Sequence, residues 1–330
     1  MRFPALRPLC HLTLASSIAL FAGCGGGSDN GGGKATRLAF VTNMSADFWT
    51  YANAGVQKAL EELDGVEVEF KAGDGTPAKQ REICEALLVR GFEGIAISPV
   101  NPAGQREMLN DWAKKCALIT VDSDAPESDR RFYMGTDNIA AGRQAGELLK
   151  EALPDGGKVM AFVGFGDQQN AVERYQGLLE AVEGSDIEII DLRTDEGNMG
   201  KARSNAEDTL TRYPDIAGMV GLFAYNPPAI LEAVRDKGAI GNIAIVGFDE
   251  DPRTLEAIDA GEIYGTVVQK PYEFGYQAIK ALHALIVEGK TPAEIGIPES
   301  GQLFIATQQI RKGEGAAYQE KCEAWKAALK

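Results

Sequence analysis

From residue 37 onward, short runs rich in β-branched residues alternate with stretches whose apolar residues recur at helical spacing. Strands are predicted at Leu38–Thr42, Val66–Lys71, Gly94–Ser98, Ala117–Val121, Lys158–Val163, Ile187–Leu192, Ile216–Gly221, Ile243–Gly247 and Gly265–Val268. Between nearly every pair lies a pattern such as Val56, Ala59, Leu60 and Leu63, which is one face of a helix. Thr76-Pro77 and Asn101-Pro102 mark helix starts, each placing a capping side chain before a proline suited to the first turn. Gly65, Gly91, Gly184 and Gly238 mark stops, where the chain can turn left-handed. Such alternation implies right-handed βαβ units and a mostly parallel sheet, because parallel neighbours need a crossover. Val66, Val68 and Phe70 alternate with Glu67 and Glu69, as on a sheet edge, whereas Ile95-Ala96-Ile97 is apolar throughout, as in a sheet centre. So many strands overfill one ordinary sheet, and two doubly wound α/β domains are the economical arrangement. No tandem repeat is visible. Residues from Glu314 to Lys330 read as an appended helix, with Tyr318, Cys322, Trp325 and Leu329 on one face.

Ahead of this body stand Arg2 and Arg7, an apolar segment from Leu9 to Ala22, and Cys24 followed by a glycine-rich tract through Gly33. A basic end, an apolar middle and small residues before a cut form the layout of a secretory signal. Ala22-Gly23-Cys24 resembles the bacterial lipoprotein signal, with Phe21 where Leu is usual, and the resemblance implies that Cys24 is lipidated and becomes the new amino terminus. The glycine tract is then a tether reaching about 15–20 Å. The apolar segment, interrupted by His11, Thr13, Ser16 and Ser17, is too short and polar to span a bilayer. The formal charge is −15, and losing Arg2 and Arg7 with the signal makes the mature chain more acidic still. Such a surface repels phosphate backbones, which excludes nucleic acid as a partner.

Of two histidines only His283 remains after the signal is lost, in a helical stretch far from any partner motif. That removes the Ser-His-Asp arrangement and zinc sites built on several imidazoles. No catalytic residue, metal or cofactor is expected. Cys84, Cys116 and Cys322 remain after Cys10 and Cys24 are set aside, with no C-x-x-C spacing. Buried single thiols are the default; a Cys84–Cys116 bridge is the alternative, since their two helices would pack side by side on one sheet face and export permits disulfides.

In open α/β sheets ligands bind beyond the carboxyl ends of the strands. There the sequence places Asn43 with Phe48-Trp49 after the first strand, Asp122 after the fourth, and Arg174 on a later helix. Phe223, Tyr225 and Asn226, then Asp249, then Gln269 follow at later strand ends. Two carboxylates, one guanidinium, several amides and several aromatics suit a polyhydroxylated ring: aromatic faces cover C–H patches, and the polar groups pair with vicinal hydroxyls. Gly164-Phe165-Gly166 looks like half of a dinucleotide fingerprint, but Gln169 holds the third glycine place, so a tight turn leading to Arg174 is the better reading.

Several segments together resemble the periplasmic sugar-binding proteins of the ribose-binding type: Leu38-Ala39-Phe40-Val41 with Phe48-Trp49, Val121-Asp122, Gly135-Thr136-Asp137-Asn138 with Ala141-Gly142, Glu173-Arg174 with Gly177, Tyr213-Pro214-Asp215, Val246-Gly247-Phe248-Asp249, and Val268-Gln269-Lys270-Pro271. The resemblance implies the type I periplasmic binding fold, two doubly wound parallel-sheet domains joined by a three-segment hinge. It implies sugar contacts at the positions of Asn43, Phe48, Trp49, Asp122, Arg174, Asp249 and Gln269. Ser123 stands where the ribose binder has Arg, and Phe223 to Asn226 does not align with that family's Asn-Asp, so the implied ligand is a pentose or hexose rather than ribose specifically. The expected layout is a signal (1–23), a tether (24–36), an N-terminal lobe (37–136 plus 270–298), a C-terminal lobe (137–269 plus 299–312) and a C-terminal helix (313–330). Crossings fall near Gly135–Asn138, Gln269–Pro271 and Ile297–Glu299. A monomeric receptor delivering sugar to an ABC importer permease follows, held at the membrane through Cys24 in the periplasm or at the cell surface. The alternatives are a sugar-sensing lobe for a membrane receptor, and an exported glycoside hydrolase using Asp122 and Asp249 as acid and base. A transcriptional regulator of this fold would need a DNA-binding helix pair where the signal stands.

Overall fold

In the computed structural model, which describes residues 35–329, two six-stranded sheets follow one another along the chain. The expected signal, Cys24 and the expected tether up to residue 34 lie outside the described residues. The first sheet region holds β1 (Thr36–Val41), α1 (Asp47–Glu61), β2 (Val66–Lys71), α2 (Pro77–Val89), β3 (Gly94–Ile97), α3 (Pro102–Ala113), β4 (Ala117–Val121) and β5 (Tyr133–Gly135). The second holds α4 (Asn138–Ala152), β6 (Gly157–Val163), α5 (Gln169–Val182), β7 (Ile187–Thr194), α6 (Met199–Arg212), β8 (Ile216–Gly221), α7 (Asn226–Asp236), β9 (Ala244–Phe248), α8 (Pro252–Ala260) and β10 (Gly265–Val268). The chain then returns through α9 (Pro271–Ile286) and β11 (Gln302–Phe304) to the first lobe, and ends in the second with β12 (Gln308–Arg311) and α10 (Gly315–Ala327).

Strand order is β11-β5-β4-β3-β1-β2 in one sheet and β12-β10-β9-β8-β6-β7 in the other, so the two lobes share a topology. All pairs are parallel except β10 with β12. The alternating strand β2 lies at an edge and the apolar strand β3 inside the sheet, as the pattern predicts. Helix starts follow the caps: Thr76 Oγ1 accepts from the Lys79 amide at 3.2 Å and Asn101 Oδ1 from the Gly104 amide at 3.0 Å, each contributing about 1 kcal/mol. Gly65, Gly91, Gly184 and Gly238 all adopt positive φ. Residues from Ala35 onward form one compact unit.

Three details differ from the sequence reading. The first strand begins at Thr36, inside the stretch assigned to the tether. Three short strands, β5, β11 and β12, have no signature of their own, because three or four residues hold a strand only by pairing with a sheet already built. The third crossing lies at residues 305–307 rather than near Ile297–Glu299, since β11 still pairs with β5 of the first sheet before β12 joins β10 of the second. Residues 299–304 therefore belong with the N-terminal lobe. The cysteines follow the default reading of buried single thiols, and the alternative Cys84–Cys116 bridge does not form: both thiols are free and buried in the same apolar cluster, and Cys322 is free and buried elsewhere.

Candidate functional site

The two carboxylates singled out at strand ends sit in matching backbone positions. Asp122 follows β4 with φ 61° and Asp249 follows β9 with φ 64°, both left-handed. This conformation costs a non-glycine residue about 1–3 kcal/mol and persists where surrounding bonds impose it. Here the bonds are visible. The Asp122 amide donates to Met134 O at 3.2 Å and the Asp249 amide to Val267 O at 2.8 Å. Each carbonyl in turn accepts from a neighbouring strand, Asp122 O from the Tyr133 hydroxyl at 3.0 Å and Asp249 O from the Thr266 hydroxyl at 2.9 Å. Each lobe thus turns its chain sharply at the same topological point and holds one carboxylate there.

Arg174 is among the largest fully buried side chains of the protein. Its helix α5 lies close against α4 because glycines stand at the contact. A Cβ added at Gly142 would lie 2.1 Å from Arg174 O, and one at Gly177 would lie 2.0 Å from Ile139 O. That approach lets Arg174 Nε donate to Asn138 Oδ1 at 3.0 Å, while Nη1 donates to Leu222 O at 2.8 Å. The guanidinium also lies over the rings of Phe248 and Phe223, at 4.7 and 5.9 Å from their centroids, an attraction that strengthens when water is excluded.

Electrostatics ties these three groups together. Burial pushes the Asp122 carboxyl up from 3.8 to about 6, with Asp249 adding repulsion, while Arg174 and the Ser98 hydroxyl at 2.9 Å oppose it. Burial likewise raises Asp249, against the pull of Arg174 and bonds from Gln269. One guanidinium therefore acts on a carboxylate from each lobe. Gln269 closes the arrangement at the hinge: its Nε2 donates to Asp249 Oδ1 at 2.8 Å and its Oε1 accepts from the Thr136 hydroxyl at 2.8 Å. Thr136 and Gln269 lie on the first and second crossings, so this pair fastens one hinge segment to another. The Asp122 carboxylate is held through Oδ2 by Ser98, and Arg174 through Nε and Nη1 by Asn138 and Leu222.

The remaining candidates fall around this centre. Trp49 is buried, donating its ring N–H to Asn43 Oδ1 at 2.9 Å and meeting Phe48 edge to face at 4.9 Å. Phe48 is more open, and Phe40 backs the Trp49 ring at 5.9 Å. In the second lobe, Tyr225 donates its hydroxyl to Asp195 Oδ1 at 2.5 Å, and Asn226 donates its amide to Asp195 Oδ2 at 2.9 Å. Asn226 Oδ1 also accepts from the Phe223 amide at 3.1 Å, so both ends of that side chain serve the loop itself. Asp195, Ser98, Thr136 and Asn138 were not singled out from sequence. They are small polar residues in ordinary contexts, and only Thr136 and Asn138 lie within a segment that resembles the ribose-binding type. Among the described residues there is no cluster of three or more His, Cys, Asp or Glu placed to hold a metal.

With this geometry in view, comparison with known proteins is decisive about family. The sequence profile described as "Periplasmic binding protein domain" matches residues 39–291. The chain belongs to the periplasmic binding protein family. The ribose import binding protein of Salmonella typhimurium is 26% identical over 291 residues, covering 86% of this chain and 96% of its own length. The D-allose-binding periplasmic protein of Escherichia coli is 24% identical over 254 residues, covering 73% and 81%. Among solved structures, an ABC transporter solute-binding protein from Burkholderia graminis in complex with D-arabinose superposes with a TM-score of 0.80 at 26% identity, covering 86% of this chain and 98% of that one. A glucose-galactose binding protein from Geobacillus stearothermophilus gives 0.77 at 28% identity, covering 84% and 98%. The two parallel-dominated sheets are the type I periplasmic binding fold of this family.

Proposed function

We propose that this periplasmic binding protein captures a monosaccharide of pentose or hexose type between its lobes and delivers it to an ABC importer. The observation that carries the reading is the pair of left-handed aspartates, one from each lobe, facing a single buried guanidinium. Carboxylates accept two hydroxyl protons each and a guanidinium donates several, so the set matches a ring bearing vicinal hydroxyls. Phe48, Trp49, Phe223 and Tyr225 would cover its C–H faces. Asn43, Gln269 and Asn226 would contribute directly or by fixing their neighbours, with Ser98, Asn138 and Asp195 orienting the groups that touch sugar. The names of the relatives, which describe ribose, allose, arabinose and glucose-galactose binders, support the same ligand class. The role is binding rather than catalysis, and attachment to the membrane runs through lipidated Cys24.

A thermal-shift screen over pentoses, hexoses, deoxysugars, polyols and nucleosides, followed by calorimetry, tests this reading. Stabilisation by one or a few monosaccharides, lost in Arg174→Ala, is the expected result. No response to any pentose or hexose would overturn it, and turnover of chromogenic glycosides would replace it with a hydrolase. For the anchor, Cys24→Ala should release the protein from the membrane fraction; retention in that fraction would contradict lipidation.

A further inference from the structure

The carboxyl-terminal helix α10 lies beyond residue 291, where the family profile ends, and it touches both lobes. Its first end is fixed to the C-terminal lobe. Asp259 on α8 accepts from the amides of Gly313, Gly315 and Ala316 at 2.8, 3.1 and 2.7 Å, capping the helix with a carboxylate. Gly315 rests so close to α8 that an added Cβ would lie 2.4 Å from Leu255 O. Tyr318 and Cys322 then pack into the apolar cluster of that lobe.

Its last turns reach across. Trp325 stacks on Tyr272 of α9 at 4.9 Å with an interplanar angle of 13°, and meets Tyr51 of α1 at 5.9 Å. Lys326 lies 5.4 Å over the Tyr51 ring and 3.9 Å from the Asp47 carboxylate. Tyr51, Asp47 and Tyr272 all belong to the N-terminal lobe, and Tyr51 is 2% exposed, set into the core cluster of the opposite lobe. Midway, the Tyr318 hydroxyl donates to the carbonyl of hinge residue Gln269 at 3.3 Å. One helix is therefore pinned to one lobe at its start, to the hinge at its middle and to the other lobe at its end.

We propose that α10 is an interlobe strap that sets ligand affinity without touching the ligand, by favouring the lobe arrangement in which Asp122, Arg174 and Asp249 are brought together. A rotation about the three crossings that carried α1 and α9 away from α8 would break or repack the aromatic contacts at Trp325. Those contacts are made in the arrangement described, the one in which Arg174 acts on both aspartates, and count toward its population. A ligand that binds only that arrangement gains apparent affinity in proportion to the fraction of empty protein already in it. The first two turns of α1 carry both Phe48-Trp49 and Tyr51, so the strap also steadies the aromatic wall of the site.

This inference rests on the reading of an interlobe sugar site, so the experiment separates the two. Spin labels at Ala78→Cys and Asp167→Cys, both exposed and on opposite lobes, report the lobe separation of the unliganded protein whatever it binds. Trp325→Ala and Tyr272→Ala should each shift that distribution to longer distances. Each should also weaken the sugar selected by the thermal-shift screen about two- to tenfold, the worth of an aromatic pair, and the double variant should lose little more than either alone. Asp259→Ala, which loosens the other end of the helix, should act in the same direction if Trp325→Ala proves too unstable to measure. Unchanged or tighter binding with unchanged distances in Trp325→Ala and Asp259→Ala overturns the strap. A wild-type protein that binds no sugar, yet whose distances respond to these changes, leaves the strap standing and removes the sugar site.

Discussion

Replacing Asp122 with Asn should stabilise the empty protein and impair it as a receptor. Asp122 is 6% exposed, and burial raises its carboxyl from 3.8 to about 6. A gap of that size corresponds to about 3 kcal/mol between the two protonation states. The sign follows from linkage: the folded form holds its proton more tightly than the unfolded chain. Stability contributed at this site is therefore complete below about pH 4, falls as pH rises toward 6, and stays low above. Asn carries no charge and removes that loss. It can still accept from the Ser98 hydroxyl, and it is one of the few residues that tolerates the left-handed backbone found there. Differential scanning calorimetry should show Asp122→Asn more stable than wild type at pH 7.5 by up to about 3 kcal/mol, a rise of roughly 5 °C for a chain of this size, and close to wild type at pH 4. Calorimetric titration at pH 7.5 should show sugar affinity reduced about ten- to a hundredfold, the worth of a charge-assisted hydrogen bond. A variant destabilised equally at both pH values would refute the assignment of burial as the dominant force on Asp122.

The same reasoning applies to Glu250, which is buried with one carboxylate oxygen unpartnered and is raised well above the usual range by burial and by Asp249. Glu250→Gln should raise the melting temperature at pH 7.5 and leave it unchanged near pH 4; a loss at pH 7.5 would show that the charge is compensated. Trp49 should report ligand, because its ring stands at the first strand's carboxyl edge; since Trp325 can report lobe rotation through Tyr51 and Tyr272, the test is made in a Trp325→Phe background, where a fluorescence response that survives Trp49→Phe would count against its place in the site. Cys84, Cys116 and Cys322 are 0, 8 and 2% exposed and free, and burial lifts the Cys116 thiol to about 12. All three should resist a thiol reagent in the native protein and react in denaturant, and an intact mass two hydrogens lighter without reductant would instead reveal a bridge.

Much of this architecture can be read from residue pattern because parallel strands buried on both faces leave dense apolar runs, and capped helices leave Thr-Pro, Asn-Pro and glycine marks. Asp122 and Asp249 stand out for a related reason: each puts a charged residue, not merely a polar one, directly after an apolar run, where a charge needs a partner. What pattern does not carry is pairing. The segment Gln302-Leu303-Phe304 becomes a strand only because β5 offers it an open edge, which is why the third crossing falls later than its residues suggest. The common strand order of the two lobes is likewise invisible without a sequence repeat. Ser98, Thr136, Asn138 and Asp195 orient the larger groups through bonds between segments distant in the chain. Nothing local distinguishes them. The appended helix is legible as a helix with one apolar face, whereas its contact with both lobes depends on Tyr51 and Tyr272 arriving from elsewhere.

The central claim is that one ligand is gripped by groups from both lobes, Asp122 on one side and Arg174 with Asp249 on the other. Solution X-ray scattering of the protein with and without its sugar tests it most directly. Closure around the ligand predicts a smaller radius of gyration at saturation, with far-ultraviolet circular dichroism unchanged. A sugar that saturates the protein in calorimetry while leaving that radius the same would contradict a site shared between the lobes.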